Sequence, residues 1–72
     1  MKTFKIGVHV KTKVEQLCLG VDGKETIIPV GTNGLVCEAY DDHVEVEIWG
    51  ENSPKNVVGV FGYALDEVEI IH

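Results

Sequence analysis

The sequence predicts an all-β fold, a small barrel of about five antiparallel strands, and three observations carry that expectation. Apolar residues alternate with period two in several short stretches. The cleanest sets Val44, Val46 and Ile48 against Glu45, Glu47 and Trp49, the mark of a half-buried strand. Turn-forming residues recur along the chain at spacings of about ten residues, the rhythm of a sandwich or barrel. No amphipathic stretch runs longer than one or two helical turns. With 72 residues the chain makes one domain, residues 1–72, with a thin core that buries only about 60% of its unfolded surface. At this size a closed barrel is favoured, because closure leaves few unpaired strand edges.

The first strand is expected over residues 4–11, with Phe4, Ile6, Val8 and Val10 sharing one face and Lys5, His9 and Lys11 the other. Gly7 in its interior signals a bend. Leu17, Leu19 and Val21 alternate next, and Asp22-Gly23 supplies a two-residue turn, since both residue types tolerate positive φ. Residues 16–21 and 24–28 are therefore read as an irregular hairpin or a partly paired loop. It ends at Pro29, which cannot donate to a ladder.

Gly31-Thr32-Asn33-Gly34 reads as a turn, with Gly34 suited to a left-handed position. Residues 35–40 follow as a strand, Asp41-Asp42 as a tight polar turn, and residues 44–49 as a second strand. Residues 50–56 are all turn formers and read as a loop. The β-branched run at 57–61 is a strand, residues 62–67 hold one 3₁₀ or helical turn, and residues 68–71 close the chain as a short strand.

The formal net charge is −6. That balance opposes long-range attraction to nucleic-acid phosphates or anionic lipid. It is uneven: five Lys and three acidic residues precede Glu38, whereas nine acidic residues and a single Lys, Lys55, occur from Glu38 onward. The two cysteines, Cys18 and Cys37, lack CxxC spacing and partner histidines. They read as free, buried thiols of a cytoplasmic protein, and a single bridge between adjacent strands is compatible with their positions. The N-terminus has no apolar targeting segment, and no window approaches the roughly 18 apolar residues of a membrane span.

The order of elements resembles the SH3-like barrel. More narrowly, it is similar to an uncharacterised bacterial family of small SH3-like proteins with the pattern Gly-x-x-Gly-x-Val-Val-Glu-x-Tyr-Asp-Asp followed by an alternating Val-Glu-Val strand. The matching residues are Gly31, Gly34, Val36, Glu38, Tyr40, Asp41, Asp42, Val44, Glu45, Val46 and Glu47, with the closing Leu65-Asp66-Glu67-Val68. The resemblance covers residues 8–71, and its middle third is the specific part. The same glycine turn and valine strand occur in the KOW motifs of ribosomal and transcription proteins. The resemblance implies a barrel with a short 3₁₀ turn before the last strand, and a structural motif without a catalytic residue. Nucleic-acid-binding KOW proteins usually carry basic or aromatic loops. This hairpin instead carries Glu38, Asp41, Asp42, Glu45 and Glu47, which argues against nucleic acid as partner.

Asp41, Asp42 and His43 cluster at one turn, but adjacent turn residues splay outward whereas a metal needs three or four converging ligands. They read as solvated turn residues, and no metal or other cofactor is expected. His9 and His72 have no neighbouring nucleophile or carboxylate that suggests a triad, and a barrel this small leaves little room for a substrate pocket. No enzyme is expected. Glu45 and Glu47 read as a solvated sheet face, with Lys5, Lys11 or Lys13 available to pair with them.

The aromatics are the better functional signal. If Val44, Val46 and Ile48 face the core, Trp49 faces out or lies at the barrel end, and exposed Trp and Tyr mark binding hot spots. The expected function is a non-enzymatic protein-interaction module, cytoplasmic and bacterial or phage-like. Trp49, Tyr40 or Tyr63 would be the anchor, in an acidic rim of Glu38, Asp41, Asp42, Glu45 and Glu47, and a basic segment would be the partner. Two other classes fit the same residues. One is an acidic inhibitor that mimics nucleic acid on a host or defence protein. The other is a KOW-type nucleic-acid module. A homodimer through an exposed strand edge is compatible with each.

Overall fold

The computed structural model describes residues 4–19 and 23–71. Seven strands follow one another: β1 (His9–Thr12), β2 (Gln16–Leu19), β3 (Glu25–Ile28), β4 (Asn33–Ala39), β5 (His43–Trp49), β6 (Val57–Ala64) and β7 (Val68–Ile70). A 3₁₀ turn at Gly50–Asn52 separates β5 from β6, and another at Leu65–Glu67 precedes β7. Among the described residues, five strands form one antiparallel sheet in the order β6-β5-β4-β1-β7, while β2 and β3 pair with each other. The all-β class, the five antiparallel strands and the 3₁₀ turn before the last strand match the expectation, and the arrangement is compatible with an SH3-like fold.

Closure does not match. The strand order ends at β6 on one side and β7 on the other, so the sheet stays open. β7 is three residues long and pairs with β1, and among the described residues no ladder joins it to β6. Among the described residues no helix is long and apolar enough to cross a membrane.

The core lies on one face of the large sheet. Val36 of β4, Val44, Val46 and Ile48 of β5, Val10 of β1, Tyr63 of β6, Val68 of β7 and Ile28 of β3 form one buried cluster. Most are β-branched residues at alternate positions, which suits a half-buried pleated surface. The 3₁₀ turn before β7 is held by Glu67, whose Oε1 accepts from the Ala64 backbone N–H at 2.8 Å.

Three local expectations change. The first strand starts later than the alternation suggests, at His9, because Gly7 takes φ 91 and turns the chain ahead of it. The 31–34 turn uses Gly31, not Gly34, for its left-handed residue, at φ 88. Gly34 lies in β4 and is required for a different reason: a Cβ there would stand 2.5 Å from the Glu47 carbonyl oxygen. Third, β6 continues to Ala64 instead of stopping at Phe61.

Thr12 joins the two sheets. Its buried Oγ1 donates to the Pro29 carbonyl at 2.9 Å and accepts from the Thr32 N–H at 3.1 Å. Its backbone N–H donates to the Thr32 carbonyl, and its carbonyl accepts from the Gly31 N–H. The segment leaving β3 is thereby tied to β1.

Candidate functional site

The β4–β5 turn gathers most of the residues the sequence singles out. Tyr40 N–H donates to the His43 carbonyl at 2.9 Å, so Asp41 and Asp42 form a tight two-residue turn. That closure brings the Tyr40 and His43 rings into a stack, with centroids 4.5 Å apart and planes 14° apart. Tyr40 stays 49% exposed. Its hydroxyl donates to Glu45 Oε1 at 3.3 Å, and Asp42 Oδ1 lies 2.6 Å from His43 Nδ1.

A bulge places the fourth carboxylate. Strict alternation from the buried Val36 would send Glu38 into the core. The ladder instead shifts between Val36 and Glu38, so that Val36 opposes Val46 and Glu38 opposes Glu45. Cys37 absorbs the extra residue. Glu38 then faces water beside Glu45, and Ala39 packs against the core. Two like charges face each other across the strands, and the field is visible at Tyr40. Its phenol is pushed above the ordinary value, first by the Glu45 charge, then by the hydrogen bond to Glu45, with burial and Glu38 adding less. The Asp42 carboxyl is held below its ordinary value, chiefly by the hydrogen bond with His43.

The other two aromatic anchors are elsewhere, and both correct the expectation of exposure. Trp49 closes the far end of β5, about 20 Å from the turn at the usual strand rise, and is only 8% exposed. Alternation does put it on the face opposite Ile48, but that face is covered there. The indole packs against the His9 ring at 4.9 Å, and its Nε1–H donates to Glu47 Oε1 at 3.0 Å. Tyr63 is 2% exposed. Because β6 runs on to Ala64, Tyr63 pairs with Val44 and turns into the core. So Tyr40, Glu38, Asp41, Asp42 and Glu45 converge, while Glu47 stands with Trp49.

None of the expected lysines neutralises the Glu45 and Glu47 face. Lys11 instead makes a half-exposed ion pair with Glu69 at 3.8 Å, a contact worth about 0–1 kcal/mol. Cys37 is a free, half-buried thiol whose Sγ lies 4.0 Å from Glu47 Oε2. The side chain of Cys18 and the residues Val21 and Asp22 lie outside the described residues. Among the described residues, no three His, Cys, Asp or Glu side chains are grouped to hold a metal ion.

Contrary to the expectation of little room, there is an open groove of about 400 Å³ at the Trp49 end. Residues 26–32 form one wall, and Ile48, Trp49, Gly50, Glu51 and Val58 form the other. Ile27, Pro29, Val30 and Trp49 make it apolar, and among the described residues Glu51 is its one charged residue. Glu51 has φ 54, left-handed backbone for a non-glycine residue, a strain of order 1–3 kcal/mol. Sequence reasoning missed this groove because the apolar run before Pro29 looks like an ordinary strand. It also treated His43 only as a turn residue. The available signal was its position, three residues after Tyr40 across a two-residue turn.

Comparison with protein-family models, with curated proteins and with solved structures found no match to this chain.

Proposed function

We propose that the chain is a non-enzymatic protein-interaction module with an SH3-like strand arrangement, which takes a basic segment of a partner protein at the β4–β5 turn. The observation that carries this reading is the exposed Tyr40–His43 stack set among Glu38, Asp41, Asp42 and Glu45. A planar aromatic face beside several carboxylates suits a guanidinium, which stacks and pairs at once. The burial of Trp49 and Tyr63 moves the anchor of this reading to Tyr40 alone. The free Cys37 thiol fits a reducing compartment, and the reading extends to a cytoplasmic, bacterial or phage-like protein.

The row formed by Glu38, Glu45 and Glu47 on neighbouring strands favours a second reading, an acidic inhibitor that occupies a nucleic-acid-binding site. The two separate in one titration. An arginine-rich peptide is added to the ¹⁵N-labelled protein at low and high salt, with wild type and Tyr40→Ala compared. The module reading expects shifts centred on residues 38–45 and a clear loss of affinity in the variant. Binding that ignores Tyr40→Ala but collapses with salt supports the acidic mimic. No shift at this turn discards the module reading, and retardation of nucleic acid in a gel shift would restore the KOW-type one.

A further inference from the structure

We propose that the groove beside Trp49 is a ligand site for a small amphipathic cation, a protonated amine carried on a compact apolar body. The groove shares no residue with the Tyr40 turn and does not rest on the reading given for it.

The walls set the apolar half of the ligand. Ile27 and Val30 line the groove and are 57% and 62% exposed. Large apolar side chains left open around a concavity mark a binding site. The volume of about 400 Å³ falls within the range of small-molecule pockets, about 300–1,000 Å³. Many polar groups of the walls are already engaged within the chain. The Pro29 carbonyl accepts from the Thr12 and Thr32 hydroxyls. Thr12 also takes the Gly31 N–H, the Thr32 N–H and the Thr32 carbonyl. On the other wall the Gly50 N–H donates to the Asn56 carbonyl, the Gly50 carbonyl accepts from the Ser53 N–H, and the Trp49 Nε1–H donates to Glu47.

Those engagements and one charge select the occupant. An extended peptide laid along a strand is held by main-chain hydrogen bonds, and the backbone groups just named are not free to make them. A folded partner presents about 20–30 residues a side, whereas the groove takes in residues 26–32 and five others. A second copy brings a formal net charge of −6, and nucleic acid and anionic lipid bring phosphates, so charge opposes all three. Glu51 supplies the attractive sign. It is exposed, it is the one charged residue of the lining, and among the described residues no cation pairs with it. The chain holds this glutamate at φ 54, where glycine would sit without strain. Strain of that kind gathers at ligand-holding positions. A compact apolar body with one positive charge matches both the walls and the carboxylate.

Titration of the ¹⁵N-labelled full chain with three probes of one skeleton tests this: 3-phenylpropylammonium, uncharged 3-phenylpropanol and anionic 3-phenylpropanoate. The ammonium and the alcohol should both shift the amides of Ile27, Val30, Trp49 and Gly50. The alcohol has no charge to draw it to the acidic turn, so its shifts separate the groove from the Tyr40 site. The ammonium should bind about two- to fivefold tighter than the alcohol, the effect of an exposed charge pair, and the carboxylate should bind weakest. Glu51→Gln should erase the advantage of the ammonium and leave the alcohol unchanged. Val30→Ser should weaken the ammonium and the alcohol alike. Both substituted residues are exposed, so both variants should fold. The proposal is overturned if neither probe shifts these amides up to about 10 mM, if the carboxylate binds as tightly as the ammonium, or if Glu51→Gln keeps the preference. Phosphatidylcholine vesicles that shift the same amides, or a two-chain mass with residues 27–32 protected, would give the groove another occupant and overturn it too.

Discussion

The β4–β5 and β2–β3 hairpins share the same period-two pattern and have opposite fates. In β5 the alternate residues Val44, Val46 and Ile48 are fully buried. In β2 the alternate residues Leu17 and Leu19 are 61% and 68% exposed, and Ile27, directly opposite Leu17, is exposed too. The difference is not in the side chains. β5 has a strand on each side and a core beneath it, whereas β2–β3 forms a two-stranded sheet of its own and, among the described residues, sends Ile28 into the core. Alternation says which residues share a face. Whether that face is dry depends on what the sheet packs against.

The largest way to sharpen this contrast is Ile48→Ala, which empties a fully buried site in β5. It should cost about 2–5 kcal/mol, a large share of the about 4–11 kcal/mol that a chain this size holds. Chemical denaturation would read this as an earlier midpoint at unchanged slope. Gly34→Ala should cost about 1–3 kcal/mol, because the new methyl meets a backbone oxygen that cannot swing away.

Thr12→Val probes the tie between the two sheets. It leaves the Thr32 N–H short of a partner, while the Pro29 carbonyl keeps the Thr32 hydroxyl as donor, at a cost of about 1–3 kcal/mol. Hydrogen exchange should show β2 and β3 opening before β4 and β5. If all strands lose protection together, the two hairpins are one cooperative unit and the contrast fails. The Leu17→Thr, Ile27→Thr double variant, on the exposed face, should change stability by no more than about 0.5 kcal/mol. A loss comparable to that of Ile48→Ala would show that this face is buried in solution.

The smallest effects are protonic and confined to the acidic turn. Tyr40 titrates above its ordinary value of 10.0, so the folded state favours the neutral phenol. Its contribution is present below that value and is lost as pH rises through the raised one. Glu45→Gln should bring the titration back down, as followed by ultraviolet difference absorbance. Asp42 has the opposite sign. It titrates below 3.8, so its contribution is present above that value and is lost as pH falls through the lowered one. His43→Ala should raise the Asp42 titration in a carboxylate NMR experiment.

Much of the site was legible because it depends on near neighbours. Asp41-Asp42 is a turn by residue type, and a two-residue turn places Tyr40, His43 and Glu45 together whatever the rest of the fold does. Glu38 was legible only as a charge. Its path to the surface needed the bulge at Cys37, which a strict alternation cannot express. Trp49 and Tyr63 were misplaced for one reason. Their burial is decided by residues far away in the chain, His9 for the indole and Val44 for the phenol.

By itself, then, the sequence determined the strands, the turns and the acidic character of one hairpin, since these follow from side-chain period, backbone preference and charge over a few residues. Tertiary structure decided whether the sheet closes, which apolar face stays wet, which aromatics reach the surface and where the groove opens. Those outcomes depend on register and packing between residues distant along the chain. The physical reason is that a local pattern sets direction, while burial is a property of what arrives on the other side.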